Sequence, residues 1–173
     1  MPIPECPDCY LITQIPCEHR IRYFAAESFI RSQQVEGKMV AIVDVTDEPE
    51  TKFWKGGKSD MENGPHIRLW PAAHTMYGWE MMTSVLIHEF GHLKLYERER
   101  IWKGEEAERK ANVYGFFFMM YHVIPRHYWL HREFFLASYY AGDNWTEEDC
   151  RAEYQEWVTW MKASPTVGAL NPI

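Results

Sequence analysis

The sequence predicts an α+β domain in which a small sheet comes first and helices dominate the second half. Residues 38–45 form a β-branched apolar run of strand length, and residues 66–70 alternate in polarity until Pro71 ends them. From about residue 77 onward, apolar residues recur at helical spacing. A chain of 173 residues with 46% hydrophobic composition suits one domain with a substantial core. We therefore predict one domain over residues 21–173, preceded by a distinct segment at 1–20.

Composition and charge restrict the partners of this chain. The net charge of −7 argues against a nucleic-acid scaffold, which normally presents a basic face. No run reaches the roughly 18 apolar residues that span a bilayer, and the first residues lack the pattern of a signal peptide. We expect a cytoplasmic protein with neither a nucleic-acid nor a membrane partner. Its four cysteines are then reduced or bound to metal. The oligomeric state does not follow from the sequence.

The segment 1–20 contains a cluster of zinc-type ligands. Cys6 and Cys9 form a C-x-x-C pair, and Cys17 and His19 form a C-x-H pair. The seven residues between the pairs are fewer than in common zinc fingers. Two interpretations stay open, a tight knuckle around a second, structural zinc ion and an ordered tail with free thiols.

The first half of the domain is expected to alternate between helix and strand. Residues 18–34 are predicted as a helix that ends before Gly37, with Ile21, Phe24, Ala25 and Phe29 near helical spacing. After the strand at 38–45, residues 46–64 are polar and rich in glycine, which is typical of an exposed loop or an irregular hairpin. We place the strand at 66–70 on the open edge of the sheet, where an extended peptide could pair with it.

Four helices are expected to follow. The first covers about 77–97, and its last turns, residues 94–100, are charged and should emerge into solvent. The others cover about 104–121, 126–140 and 146–162, the last with Thr146 as its cap. The buried stripe predicted for the last helix consists of Cys150, Tyr154, Trp157, Val158 and Met161.

The helix at 77–97 contains the chemical motif of the chain. Its centre, His88-Glu89-Phe90-Gly91-His92, has the form H-E-x-x-H. Residues four apart share a helix face, so both imidazoles can reach one zinc ion. Glu89 can then take a proton from a metal-activated water. The flanking residues are apolar nearly all round, which predicts a buried helix where polar groups are costly unless something binds them. The alternative is a hydrogen-bonded pair of core histidines.

A zinc site needs a third protein ligand, and it must come from a helix that folds back. Tyr96 stands where some proteases have a third histidine, so the candidates are Glu105, Glu106 and Glu108. Glu97 and Glu99 are predicted to form a solvated face, and Glu105 and Glu106 to complement the helix dipole.

Glu108 is the preferred third ligand because of the residues on its helix face. That face also contains Ala111, Asn112, Gly115 and Met119. The small residues at 111 and 115 would allow a close approach to the motif helix. The side chain of Asn112 could accept the free N–H of a zinc-bound histidine.

Taken together, these motifs resemble those of the gluzincins, and more narrowly those of the ImmA/IrrE family. The resemblance covers about forty residues, from His-Glu-Phe-Gly-His-Leu to Glu108-Arg-Lys-Ala-Asn-Val-Tyr-Gly and Pro125. The chain departs from the family signature at Lys110, Tyr114 and Gly115, and Pro125 comes one helical turn late. The resemblance implies a compact zincin fold with a small twisted sheet beside the active-site helix. It also implies a bacterial or phage setting and regulatory proteins as substrates.

The sequence therefore leads to a principal functional hypothesis and two alternatives. The first is a zinc endopeptidase with His88, His92 and Glu108 as metal ligands and Glu89 as general base. The alternatives are a zincin-fold interaction protein with little turnover, and a zinc hydrolase acting on non-peptide substrates. A further donor should stabilise the oxyanion. The candidates for that donor are Tyr96, His74, Tyr121, His127 and His131. His122 shares a face with Glu108 but lies about 21 Å further along the helix, too far to reach the same zinc unless the helix breaks.

Overall fold

The computed structural model describes residues 18–44, 57–70, 73–122 and 147–163, and these form a mixed α+β fold. The elements are α1 (Glu18–Arg31), β1 (Gln34–Val35), β2 (Lys38–Met39), β3 (Ala41–Asp44), β4 (Gly57–Asp60), β5 (His66–Leu69), α2 (Ala73–Glu99), α3 (Glu105–His122) and α4 (Glu147–Ala163). The prediction of the fold class, α+β, is confirmed. The Cys6, Cys9 and Cys17 cluster and the helix expected at 126–140 lie outside the described residues, as does the side chain of His19.

Helix α1 ends three residues earlier than predicted, because a tight hairpin follows it. Strands β1 and β2 are antiparallel, with Glu36 and Gly37 at positive φ between them. This pair of left-handed residues is typical of a two-residue hairpin turn. The buried face of α1 also differs from the prediction, since Ile21 and Phe24 are exposed while Tyr23, Ala26 and Ile30 are buried.

The second sheet has three strands in the order β3-β5-β4. Strand β5 runs parallel to β3 and antiparallel to β4, so the strand at 66–69 is central. Our placement of this strand on the open edge was wrong. The edge nearest the motif helix is β4, which forms within the segment expected to be an exposed loop or an irregular hairpin and pairs with β5 antiparallel. Its sequence, Gly-Lys-Ser-Asp, has low strand propensity, so pairing with β5 and packing on α2 fix its conformation.

Helix α2 runs through the centre of the protein and is longer than predicted at both ends. Most of its described side chains from Met82 to Leu95 are buried, which confirms the expected core helix. The prediction that residue 94 emerges into solvent was wrong, because Lys94 is fully buried. Its ammonium group donates to the carbonyl of Gln34 at 2.9 Å and to Glu97 at 3.0 Å. The helix therefore remains inside the protein for a turn beyond the motif.

Helices α2 and α3 pack with their backbones almost in contact. A Cβ atom at Gly91 would lie 1.7 Å from the carbonyl oxygen of Ala111, and one at Gly115 would lie 2.1 Å from that of Ile87. Distances this short exclude any side chain at either glycine. The prediction that small residues at 111 and 115 allow a close approach is confirmed, and the approach places Glu108 beside the motif.

Helix α4 packs against α3 through the buried side chains of Trp157 and Met161, with Val158 half-buried. These are three of the five residues predicted for its core stripe. Thr146 and the side chains of Cys150 and Tyr154 lie outside the described part. Among the helices that the structure describes, none combines the length and the apolar character needed to cross a membrane.

Candidate metal centre

The two histidines of the motif converge on one point beside α2. His88 and His92 are one helical turn apart and are 9% and 6% exposed. Their Nε2 atoms are 3.1 Å apart, and their rings meet edge to face. The buried surroundings fix both rings, and the two nitrogens face the same space.

Glu108 completes this group from the first turn of α3. Its carboxylate lies 3.1 Å from the Nε2 atom of His88 and 3.3 Å from that of His92. The connection between the helices is short and reverses direction at Arg100 and Gly104, which both have positive φ. The Glu108 side chain is about half-exposed, so the group opens to solvent on its side. The structure therefore brings together the three residues that the sequence selected as ligands.

The distances among these atoms suit a tetrahedral metal ion. Zinc binds histidine nitrogen and carboxylate oxygen at about 2.0–2.1 Å, which places neighbouring ligand atoms ~3.3 Å apart. The two Nε2 atoms are 3.1 Å apart, and each lies at a similar distance from one carboxylate oxygen of Glu108: His88 at 3.1 Å from Oε2 and His92 at 3.3 Å from Oε1. Two imidazoles and one carboxylate are also a donor set that zinc accepts. Within the described residues, this is a group that could hold a metal ion.

Hydrogen bonds alone do not satisfy this arrangement. With protons on both Nε2 atoms, His88 and His92 donate to Glu108 but face each other donor to donor at 3.1 Å. With one Nε2 proton removed, a nitrogen lone pair faces the carboxylate instead. A metal cation shared by the three groups removes the conflict, because each of them then donates a lone pair to it.

The electrostatics of Glu108 also suit a metal ligand. Hydrogen bonds from His88 and His92 hold the pKa of Glu108 well below its ordinary value, against the opposing effect of burial. The carboxyl group is therefore ionised at neutral pH, which is the form that binds a cation.

Glu89 does not belong to the group formed by His88, His92 and Glu108, and its carboxylate is bound by the sheet. Its Oε2 atom accepts a hydrogen bond from the backbone N–H of Ser59 at 2.8 Å and another from the Ser59 hydroxyl at 2.7 Å. Ser59 is on β4, and sequence reasoning missed it. The only signal was the alternation of small and charged residues over 57–60, because serine in a polar segment is otherwise unremarkable.

The remaining site predictions have mixed outcomes. At His92, the expected hydrogen bond from the ring N–H to Asn112 is not made: the Nδ1 atom is buried and has no hydrogen-bond partner within the described residues. Asn112 itself is buried. Glu97 and Glu99 do not form a solvated face, since Glu97 binds Lys94 and Glu99 accepts from Tyr114 at 2.6 Å. Glu105 and Glu106 are exposed first-turn acids of α3, as predicted.

The expected oxyanion donors can be assessed only at Tyr96. Its ring packs edge-on against Trp102, and the guanidinium of Arg100 lies 5.0 Å from its centre. Trp102 also packs near His92, with ring centres 6.1 Å apart, so this loop forms one wall of the centre. The other candidates, His74, Tyr121, His127 and His131, have side chains outside the described part, as does His122.

Comparisons with known proteins add no family to this description. Neither a protein-family model, a curated protein nor a solved structure matches the chain. The geometry of the centre and the sequence motifs are therefore the features that indicate a function.

Proposed function

We propose that this protein is a zinc-dependent endopeptidase of the zincin type, which hydrolyses peptide bonds in a specific protein substrate. The observation that carries the proposal is the convergence of His88, His92 and Glu108, whose potential ligand atoms lie within 4.8 Å of one another. The resemblance of the motifs to the ImmA/IrrE family supports the same conclusion and favours a regulatory protein as substrate.

In this proposal the residues of the chain have separate tasks. A zinc ion held by His88, His92 and Glu108 would act as a Lewis acid and would lower the pKa of a bound water. Glu89 accepts a proton from the water while the water oxygen forms a bond to the peptide carbonyl carbon. Glu89 then gives that proton to the amine nitrogen as the C–N bond breaks. His88, His92 and Glu108 would hold the metal ion through both steps.

Strand β4 is the surface that suits an extended peptide. Among the described strands, it forms the edge of the sheet on the side of α2, next to Glu89. An extended substrate can pair with such an edge through main-chain hydrogen bonds at the positions that Glu89 leaves free, because the outward N–H of Ser59 is already bound to Glu89. This moves the peptide-binding role that we expected for 66–70 to residues 57–60.

The first test is the zinc content of the full-length protein, purified without added metal and measured by elemental mass spectrometry. Glu108→Ala should lose one zinc per chain relative to wild type, because a carboxylate ligand is removed. Glu105→Ala, an exposed acid of the same helical turn, should retain the wild-type content. The difference between the variants decides the result, whether or not the cysteine cluster binds a second zinc. Equal zinc in Glu108→Ala and wild type would refute the assigned ligand.

The second test separates a peptidase from an interaction protein with the same metal. Wild-type protein and Glu89→Gln are incubated with a proteome-derived peptide library, and new peptide termini are identified by mass spectrometry. We expect cleavage by wild type only, with unchanged zinc in the variant, because glutamine cannot accept the proton. A biological activity that persists in Glu89→Gln would favour the interaction protein.

A further inference from the structure

The register of the three-stranded sheet fixes which backbone groups of β4 point outward. The N–H of Ala41 on β3 donates to the carbonyl of Pro65, which directly precedes β5. In the segment 65–69, the backbone N–H and C=O groups of odd-numbered residues therefore point toward β3, and those of even-numbered residues point toward β4. The hydrogen-bonding partners on β4 are then Lys58 and Asp60, opposite Arg68 and His66. The N–H of Ser59 therefore points away from the sheet, toward the free edge.

That outward N–H is the group that Glu89 binds. Ser59 is 5% exposed, and its N–H and hydroxyl both donate to the same oxygen of Glu89. The second carboxylate oxygen is left for other partners. The strand and the helix are close here, since a Cβ atom at Gly57 would lie 2.6 Å from Val85 and 3.6 Å from the Glu89 side chain. Glu89 is thus anchored by two donors on a rigid strand.

We propose that Ser59 is a positioning residue that orients the general base Glu89, an inference that rests on the proposed function. A glutamate side chain that is only half-buried loses considerable rotamer freedom when it is fixed for proton transfer. The paired donors of Ser59 fix one oxygen in advance and leave the other to receive the proton. Such prior orientation is one of the ways in which enzymes lower a reaction barrier.

A ligand that needs no known substrate provides the test. Acetohydroxamic acid binds zinc, and its O–H group can donate a hydrogen bond to a correctly placed carboxylate. Its dissociation constant is measured by calorimetry on full-length, zinc-loaded wild type, Ser59→Ala, Ser59→Thr and Glu89→Gln. The matched control is Ser32→Ala, which removes a hydroxyl that donates to the carbonyl of Phe29 and accepts from the side chain of Gln33, far along the chain from the site. Zinc content and the melting temperature are measured for each variant.

We expect Ser59→Ala to bind the hydroxamate about ten-fold more weakly at unchanged zinc content, as for the loss of one charge-assisted hydrogen bond. Glu89→Gln should bind at least as weakly, because it removes the acceptor. Ser59→Thr keeps the hydroxyl and should restore the affinity, and Ser32→Ala should match wild type. If Ser59→Ala lowers the melting temperature, the nearly isosteric Ser59→Cys replaces it and should show the same loss.

The outcomes separate the two proposals. Wild-type affinity in Ser59→Ala or Ser59→Cys, together with weak binding by Glu89→Gln, overturns the role of Ser59 and leaves the proposed function intact. The same holds if Ser59→Thr loses as much affinity as Ser59→Ala. Wild-type protein that does not bind the hydroxamate, or a Glu89→Gln variant that binds it as well as wild type, refutes the proposed function itself.

Discussion

At the scale of single residues, the motif helix carries charged groups into the core, and each of them has a defined partner. Lys94 lies two residues after His92, fully buried, between the carbonyl of Gln34 and the carboxylate of Glu97. Glu97 in turn accepts from the backbone N–H of Glu36. Burial lowers the pKa of Lys94, and Glu97 opposes that change. These contacts join the β1–β2 hairpin to α2 just beyond the candidate metal ligands.

Lys94→Met should destabilise the protein by about 3 kcal/mol, because it leaves the Glu97 carboxylate with an uncompensated charge at a mostly buried position. Adding Glu97→Gln should recover part of that loss, since the unpaired charge is then removed. Chemical denaturation measures both values, with the exposed Lys103→Met as control. A double variant no more stable than Lys94→Met would contradict the pairing.

At the scale of elements, the contact between α2 and α3 makes the centre. Gly91 and Gly115 let the two backbones meet, and the separation of the helices determines whether Glu108 reaches both histidines. In an isolated helix, alanine is more favourable than glycine by about 1 kcal/mol. Here the added methyl group would overlap backbone atoms, which cannot move as a flexible side chain can. For a glycine-to-alanine substitution at these positions, packing predicts a loss of stability, whereas helix propensity predicts a gain.

Gly91→Ala and Gly115→Ala should each lower the free energy of unfolding by about 3 kcal/mol or more, as for severe overpacking. Both should also weaken zinc binding, because the helices must separate. Urea denaturation and zinc titration measure the two effects. A stabilised Gly91→Ala variant would show that propensity outweighs the contact and that the helices are further apart.

A second contact between the same helices centres on Glu99. Its carboxylate accepts from the hydroxyl of Tyr114 at 2.6 Å and pairs with Lys110 at 3.0 Å, while Arg98 donates to that hydroxyl. Lys110 and Tyr114 are two of the positions at which the chain departs from the signature it resembles. The departures are therefore linked, because both residues bind the same carboxylate.

This contact predicts a dependence of stability on pH. Burial raises the pKa of Glu99, but the hydrogen bonds from Tyr114 and Lys110 outweigh it, so the pKa lies below its ordinary value. A lowered carboxyl pKa stabilises the fold above the unfolded value, about 4.3, and this stabilisation is lost as the pH falls through the folded value. The stability advantage of wild type over Glu99→Gln should therefore shrink between about pH 6 and pH 3. Denaturation at several pH values measures it, and a constant difference would contradict the assignment.

At the scale of the whole molecule, one metal ion would connect α2, which contacts α1 and the sheet, to α3, which contacts α4. A ligand that binds only the folded state stabilises it by about 2.7 kcal/mol at a hundred times its dissociation constant. We therefore expect a chelator to lower the melting temperature of wild type by several degrees.

Thermal unfolding with and without chelator measures this effect. Glu108→Ala should melt near the chelated wild type and respond weakly to chelator, whereas Glu105→Ala should behave as wild type does. Glu89→Gln should keep the full response, because Glu89 is not a ligand. An equal response in Glu108→Ala and wild type would place the stabilising metal elsewhere in the chain.

The sequence alone determined the class of the fold, the buried motif helix and the three residues of the centre. These follow from local rules: helical spacing places His88 above His92, and the small residues at 111 and 115 indicate a close contact beside Glu108. The tertiary structure decided what local rules do not encode. Strand β4 forms in a segment of low strand propensity because β5 and α2 bind it, and this places Ser59 against Glu89. Lys94 is buried because the β1–β2 hairpin and Glu97 supply acceptors that no pattern within the helix reveals.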